Sequence, residues 1–341
     1  MSGLLYPTDG AIDVLENNRG NFILSRAMKL RARLMAVLKE YLTPIETAVM
    51  QSFLLGGRSA IPNEIRDLFV VTGTAHVLAI SGQNITIISM VVFLFLRILR
   101  IPRAAQFIFT IVFLAGYAFL TGLSPSVARS AVMAIIFWMA FLFEREGDSL
   151  NSLGFAALVI LLMNPLNIFD IGFQLSFAGV FSIIYFYPTV HQLIRNALPA
   201  QMPAAAIVFL QALSVSLAAW VGVAGLILYH FQVITPVTIL ANLPIIPFMT
   251  VLMILGLGLL GFAFIFPSMA LMFSYCIKLI LKSLIVLIFW LAHVPGGYFY
   301  FYDFSVGMAV GYYVLLIAVF WLAKNYWIKS SATAPMVADL T

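Results

Sequence analysis

The chain of 341 residues is 63% hydrophobic and only 9% charged, with a mean hydropathy of +1.07 and a formal net charge of +5. A soluble domain carries roughly 25% charged residues, so this composition excludes a soluble globular protein and points to an integral membrane protein. The modest positive charge fits basic loops beside membrane spans, and the single cysteine, Cys276 in an apolar run, excludes a disulfide framework or a cysteine metal site.

Nearly half of the charged residues precede residue 68, so a polar N-terminal segment leads into one polytopic bundle. Residues 1–20 carry a turn signal at Pro7-Thr8-Asp9-Gly10 and read as the remnant or edge of a polar domain. Residues 21–42 read as an amphipathic helix: Phe22, Leu30, Leu34, Leu38 and Tyr41 recur at helical spacing among Arg26, Lys29 and Arg33. It is too charged to span and is expected at the headgroup interface. Residues 44–72 read as two short helical stretches interrupted at Gly56-Gly57 and Pro62, completing a linker over 21–72.

About 20 apolar residues are needed for each crossing. The expected spans are 76–96, 104–121, 126–143, 151–163, 171–187, 205–229, 236–265, 268–293 and 304–323, within one transmembrane domain at 73–329 and before a polar tail at 330–341. The fourth is short. The seventh is overlong and carries Pro244 and Pro247, so it is expected to be broken or re-entrant. The fold class is therefore all-α: a polytopic transmembrane bundle of about eight or nine segments with an N-terminal interfacial amphipathic helix. Arg97, Arg100 and Arg103 between the first two spans place that loop in the cytoplasm; Arg195, Lys324 and Lys329 fall on the same side, opposite the basic helix at 21–42.

With that orientation, polar residues from separate stretches fall at the outer ends of spans. His76, Ser81, Gly82, Gln83 and Asn84 lie in the first, Arg129 one turn into the third, Asp170 and Gln174 at the start of the fifth, and Asn242 in the seventh. Such groups are costly in hydrocarbon unless they face protein, water or a substrate. An arginine there either pairs with Asp170, snorkels to headgroups or faces a lumen, where its planar guanidinium suits phosphate oxygens. His76 is either a packed histidine or part of that lining. Ser81-Gly82 is either a small-residue helix contact or an unwound point that offers backbone amides to an anion. Lys278 and Lys282 share a helix face and either snorkel or extend the cationic lining. The histidines have no ligand spacing, so no metal site or cofactor is expected. Most phenylalanines and tyrosines read as lipid-facing packing and interfacial belts, with no base-stacking set singled out.

The run Thr74-Ala75-His76-Val77-Leu78-Ala79-Ile80-Ser81-Gly82 resembles the first signature of the ComEC-type competence protein family. Ser124-Pro125-Ser126-Val127-Ala128-Arg129-Ser130 resembles the second; Asn164-Pro165-Leu166 with Asp170-Ile171-Gly172-Phe173-Gln174-Leu175-Ser176 the third; and Asn242-Leu243-Pro244-Ile245-Ile246-Pro247 the fourth. Leu54-Leu55-Gly56-Gly57-Arg58 fits the family's linker before the first span. The resemblance implies an inner-membrane, multi-pass channel that takes up single-stranded DNA in natural transformation. His76, Ser81, Gly82, Arg129, Asp170, Gln174 and Asn242 stand at the matching positions. Gln83-Asn84 departs from the family's usual Leu-His, and Asn84 cannot become cationic.

The resemblance also implies, as partners, a DNA receptor, motor proteins of the competence machinery, a separate nuclease domain and a homo-oligomeric assembly in the bilayer. Fuller members add an N-terminal OB-like domain and a C-terminal metallo-β-lactamase-like nuclease domain. This sequence has no His-x-His-x-Asp-His cluster and no P-loop, so it is expected to be a fragment or a split or short member, and not itself an enzyme. The rival readings are a secondary transporter of a small anion, a membrane scaffold for a separate nuclease, and an intramembrane hydrolase using Ser81 and His76. The last is disfavoured: five residues along a regular helix offset the two by about 140°.

Overall fold

The structure, a computed structural model, describes residues 22–57, 59–122, 125–142, 149–199 and 201–332. Segment 1–20 and most of the tail at 330–341 lie outside these residues. The elements are α1 (Phe22–Tyr41), α2 (Pro44–Leu54), α3 (Asn63–Val71), a 3-10 turn (Ala75–Leu78), α4 (Gly82–Ile98), α5 (Arg103–Leu120), α6 (Pro125–Leu142), α7 (Ser149–Met163), a second 3-10 turn (Pro165–Phe169), α8 (Ile171–Asn196), α9 (Ala204–Phe231), β1 (Val233–Ile234), α10 (Thr238–Phe262), α11 (Pro267–Ala292), β2 (Phe299–Tyr300) and α12 (Val306–Ala332). This is a helical membrane bundle. Among the described residues, α5, α8, α9, α10 and α11 are long and apolar enough to cross a membrane, and α4, α6, α7 and α12 contribute shorter apolar stretches.

The expected first span does not begin at residue 76. A 3-10 turn is followed by extended backbone at Ala79 and Ser81, and helix resumes only at Gly82. The break is held in place by side-chain bonds. Gly73 adopts a φ of +69°, and the place of its absent Cβ is filled by Thr235 and Thr238, so only glycine fits. The Thr238 hydroxyl donates to Thr72 O at 2.9 Å, and Thr72 and Thr74 hydroxyls lie 2.8 Å apart. Farther on, the Ser126 hydroxyl donates to Ile80 O at 2.8 Å. These bonds satisfy backbone that helix would otherwise satisfy.

The seventh segment departs from expectation in the opposite direction. α10 runs unbroken from Thr238 to Phe262 with Pro244 and Pro247 inside it. Each proline removes one helical N–H bond, yet Ala241, Ile245, Met249, Leu252 and Met253 are buried against neighbouring helices. That packing overrides the local preference. α8 likewise continues past the expected end at 187 to Asn196, with Pro188 inside. α1 packs on the bundle through buried Val37 and Leu38, while Arg31 donates to Gly56 O at 2.9 Å.

Two apolar cores result. The larger is built from α1, α2, α4, α5, α6, α10 and α11; the smaller is centred on Phe186, Val190, Ala218 and Leu316 of α8, α9 and α12. α8 and α9 are the closest pair: a Cβ on Gly222 would overlap the Ser182 side chain, the close approach that small residues permit between membrane helices. Contacts run from α4 to α6, α6 to α8, α8 to α9, α9 to α10 and α10 back to α4, so five helices form a closed circuit joining the two cores.

Candidate functional site

The polar residues gather where α4, α6 and α8 begin. Ser126 and Ser130 on one face of α6 meet Ile80 and Gly82, the latter with its Cβ position 4.0 Å from Ser130 Oγ. Arg129, one residue away on the helix and so turned by about 100°, reaches α8 instead. Its Nη1 donates to Asp170 Oδ1 at 2.7 Å, and the same oxygen accepts the Phe173 N–H at 2.8 Å as the N-cap of α8. Gly172 makes this fit possible, because a Cβ there would lie 2.6 Å from Arg129 Nη2. The arginine side chain is 7% exposed and the aspartate 42%, so a buried cation is paired with a carboxylate open on one side.

Beside it, α4 starts without a side-chain cap. The Ser81 hydroxyl donates to Asn84 Oδ1 at 3.2 Å instead of accepting a first-turn amide. Uncapped N–H groups and the helix dipole make such a start favourable to anions. Asn84 itself is buried, and its amide donates to Phe53 O at 3.2 Å, tying α4 to α2. His76 is exposed in the 3-10 turn, with Nδ1 3.3 Å from Gly73 O. Gln83 is partly exposed in the first turn of α4.

Gln174 does not touch Arg129 through any hydrogen bond. Its amide donates to Ile168 O at 3.0 Å, and its Oε1 accepts from His230 Nε2 of α9 at 2.9 Å. His230, a lone histidine in the sequence, thus joins the group through the antiparallel α8–α9 register, and Gly172 joins through its lack of a side chain. The one prior signal for either was the position of Gly172 inside the Asp170–Ser176 run.

Asn242 lies elsewhere along the circuit. Its Nδ2 donates to Ser216 Oγ at 3.1 Å. Ser216 and His230 are fourteen residues apart on α9, about 21 Å along its axis, so Asn242 does not share a level with Gln174. Among the described residues, the buried side-chain polar atoms without a hydrogen-bond partner are Arg129 Nε and Asn242 Oδ1. Each such atom costs about 1–3 kcal/mol, and both sit on helices of the circuit. Lys278 and Lys282 stand apart, on the outward side of α11; Lys278 Nζ lies 5.6 Å from the Tyr275 ring centroid.

These features define a class: a helical membrane protein with a buried, carboxylate-paired arginine beside an uncapped helix start. A family model described as Competence, competence protein, matches residues 53–325, and the chain belongs to that ComEC-type competence family. It is similar to ComE operon protein 3 of Bacillus subtilis (strain 168), at 30% identity over 225 residues covering 66% of this chain and 27% of the relative. It is also similar to the uncharacterized protein YcaI of Escherichia coli (strain K12), at 31% identity over 166 residues covering 46% of this chain and 22% of the relative. An uncharacterized protein of Aquifex aeolicus (strain VF5) is 28% identical over 239 residues, 70% of this chain and 53% of the relative. The chain thus spans between about a fifth and about half of the length of these relatives. No solved structure matches the chain.

Proposed function

We propose that this chain forms the membrane path for single-stranded DNA in competence, in the cytoplasmic membrane, with its mouth where α4, α6 and α8 begin and its route along the five-helix circuit. The observation that carries this reading is Arg129: a guanidinium held by Asp170, with Nε unpartnered, beside the uncapped start of α4. A guanidinium next to open amides suits phosphate oxygens. Its pairing with Asp170 keeps the grip weak enough for a moving strand to let go. Family membership favours DNA over a small anion as the cargo. A motor, a DNA receptor and a nuclease would come from partners in this reading.

The test is uptake of labelled DNA in cells complemented with Arg129→Ala at matched protein level. The expected result is a fall of at least about tenfold, corresponding to one lost charge-assisted contact of about 1.4 kcal/mol or more, with Arg129→Lys partly restoring uptake. Uptake at the wild-type rate in Arg129→Ala overturns the role of Arg129.

A further inference from the structure

The loop between α11 and α12 carries five consecutive aromatics, Tyr298-Phe299-Tyr300-Phe301-Tyr302. It pairs as β2 with β1 in an antiparallel ribbon, Val233 opposite Tyr300 and Ile234 opposite Phe299. Extended backbone sends alternate side chains to opposite faces. Within β2, Phe299 and Tyr300 therefore point to opposite faces, and ring contacts bring Tyr298 and Tyr302 to the Tyr300 side. The tyrosine rings form a ladder in which Tyr298 stands edge-on to Tyr300, with centroids 5.7 Å apart and planes at 81°, and Tyr300 lies nearly parallel to Tyr302, at 6.2 Å and 16°. Tyr302 is 77% exposed, and the three phenol hydroxyls have no partner among the described residues.

The position of the ribbon matters as much as its chemistry. The Phe301 N–H donates to Gln232 O at 2.9 Å, two residues beyond His230, which is bonded to Gln174 of α8. The Val237 N–H donates to Gly297 O at 3.2 Å, fixing the ribbon to the start of α10. The Tyr302 end of the ladder thus stands at the same end of the bundle as the start of α8, where Arg129 and Asp170 meet.

We propose that Tyr298, Tyr300 and Tyr302 form a stacking platform for the bases of single-stranded nucleic acid, ahead of the Arg129 site. This rests on the function proposed above. The segregation of residue types favours bases over a purely membrane role. The Phe299 face is the one suited to lipid, whereas the tyrosine face offers flat rings with polar edges to water. Rings in series accept successive bases whatever their sequence. Asp303 follows the ladder directly and repels phosphates there, so contact is made through neutral rings and the cationic contact comes later, at Arg129. The competing role for exposed tyrosines at this position is an interfacial aromatic belt.

The experiment measures binding of a fluorescent oligothymidine strand to the full chain in lipid nanodiscs, beside an abasic strand of equal length and charge. The triple variant Tyr298→Leu/Tyr300→Leu/Tyr302→Leu is expected to weaken oligothymidine binding by about tenfold or more, the triple Tyr→Phe variant by less than about twofold, and the abasic strand to bind the wild type about as weakly as oligothymidine binds the leucine variant. Equal binding of abasic and base-bearing strands by the wild type overturns the proposal without reliance on any variant. Unchanged binding by the leucine variant also overturns it; a loss of membrane insertion in that same variant then assigns the ladder to an interfacial belt. If Arg129→Ala weakens binding while the leucine variant does not, this proposal alone fails. If the wild-type chain binds neither strand, the function proposed above fails with it.

Discussion

Arg129 gains its setting from two neighbours that carry little weight on their own. Asp170 caps α8 and pairs with the guanidinium through one oxygen, and Gly172 contributes only the absence of a Cβ. Gly172→Ala is therefore expected to push the guanidinium away from Asp170, lowering both the thermal midpoint in detergent and DNA uptake. Asp170→Asn keeps an oxygen for the cap but removes the charge. Because Asp170 is 42% exposed, the loss should be about 1–3 kcal/mol, below the ~3–5 kcal/mol of a fully buried pair, as measured by denaturant or thermal unfolding. The Arg129–Asp170 pairing was legible in the sequence as one of three fates for a membrane arginine, because so few carboxylates stand near spans. The partner of Gln174 was not. It is set by the register between two long apolar helices whose sequences bear no pairing code, so His230 stayed a lone residue until the helices were placed.

Local propensity was a poor guide at two elements, in opposite directions. The apolar run from residue 76 looks like continuous helix, yet the turn at Gly73 and bonds from Thr238 and Ser126 hold it open until Gly82. α10 holds two prolines that signal a break, yet packing on several sides keeps it whole. In both cases, tertiary partners distant in sequence decide the backbone. Helix α9 gives a direct test of such partnership. Gly222→Ala places a methyl group against Ser182 and is expected to destabilise the α8–α9 pair by about 1–3 kcal/mol, the usual cost of overpacking. Ser182→Gly in the same chain should recover most of that loss. A double-mutant cycle on thermal stability in detergent reads the coupling; additive effects would show that the two helices do not meet there.

Across the whole molecule, two apolar cores meet through polar links: Arg129 to Asp170, Asn242 to Ser216, and Trp220 Nε1 to Thr235 O at 3.0 Å. Apolar packing within each core is continuous, whereas the links between them are few and directional. Hydrogen exchange in nanodiscs is accordingly expected to group the central amides of α8 and α9 into one cooperative unit and those of α2, α4 and α10 into another. A single exchange rate shared by both groups would show one indivisible core. The helical class and the approximate number of apolar segments were readable from composition and motif, and the Arg129–Asp170 pairing was among the alternatives the sequence offered. The division into two cores was not, since it depends on which apolar faces meet, and lipid-facing and protein-facing residues are alike in chemistry.

The late start of α4 also bears on membrane voltage. A helix of 17 residues is about 26 Å long, shorter than the ~30 Å of hydrocarbon, so a crossing by α4 is completed by the turn and extended backbone before it or by a locally thinner bilayer with a steeper field. For inward passage of DNA, an inside-negative potential opposes each phosphate by ~2.3 kcal/mol per 100 mV. A thinner insulator leaves fewer phosphates inside the field at any moment. The field across each is proportionally steeper, so in the DNA path proposed above the electrical load is unchanged, and a short α4 shortens only the stretch of strand held in the field.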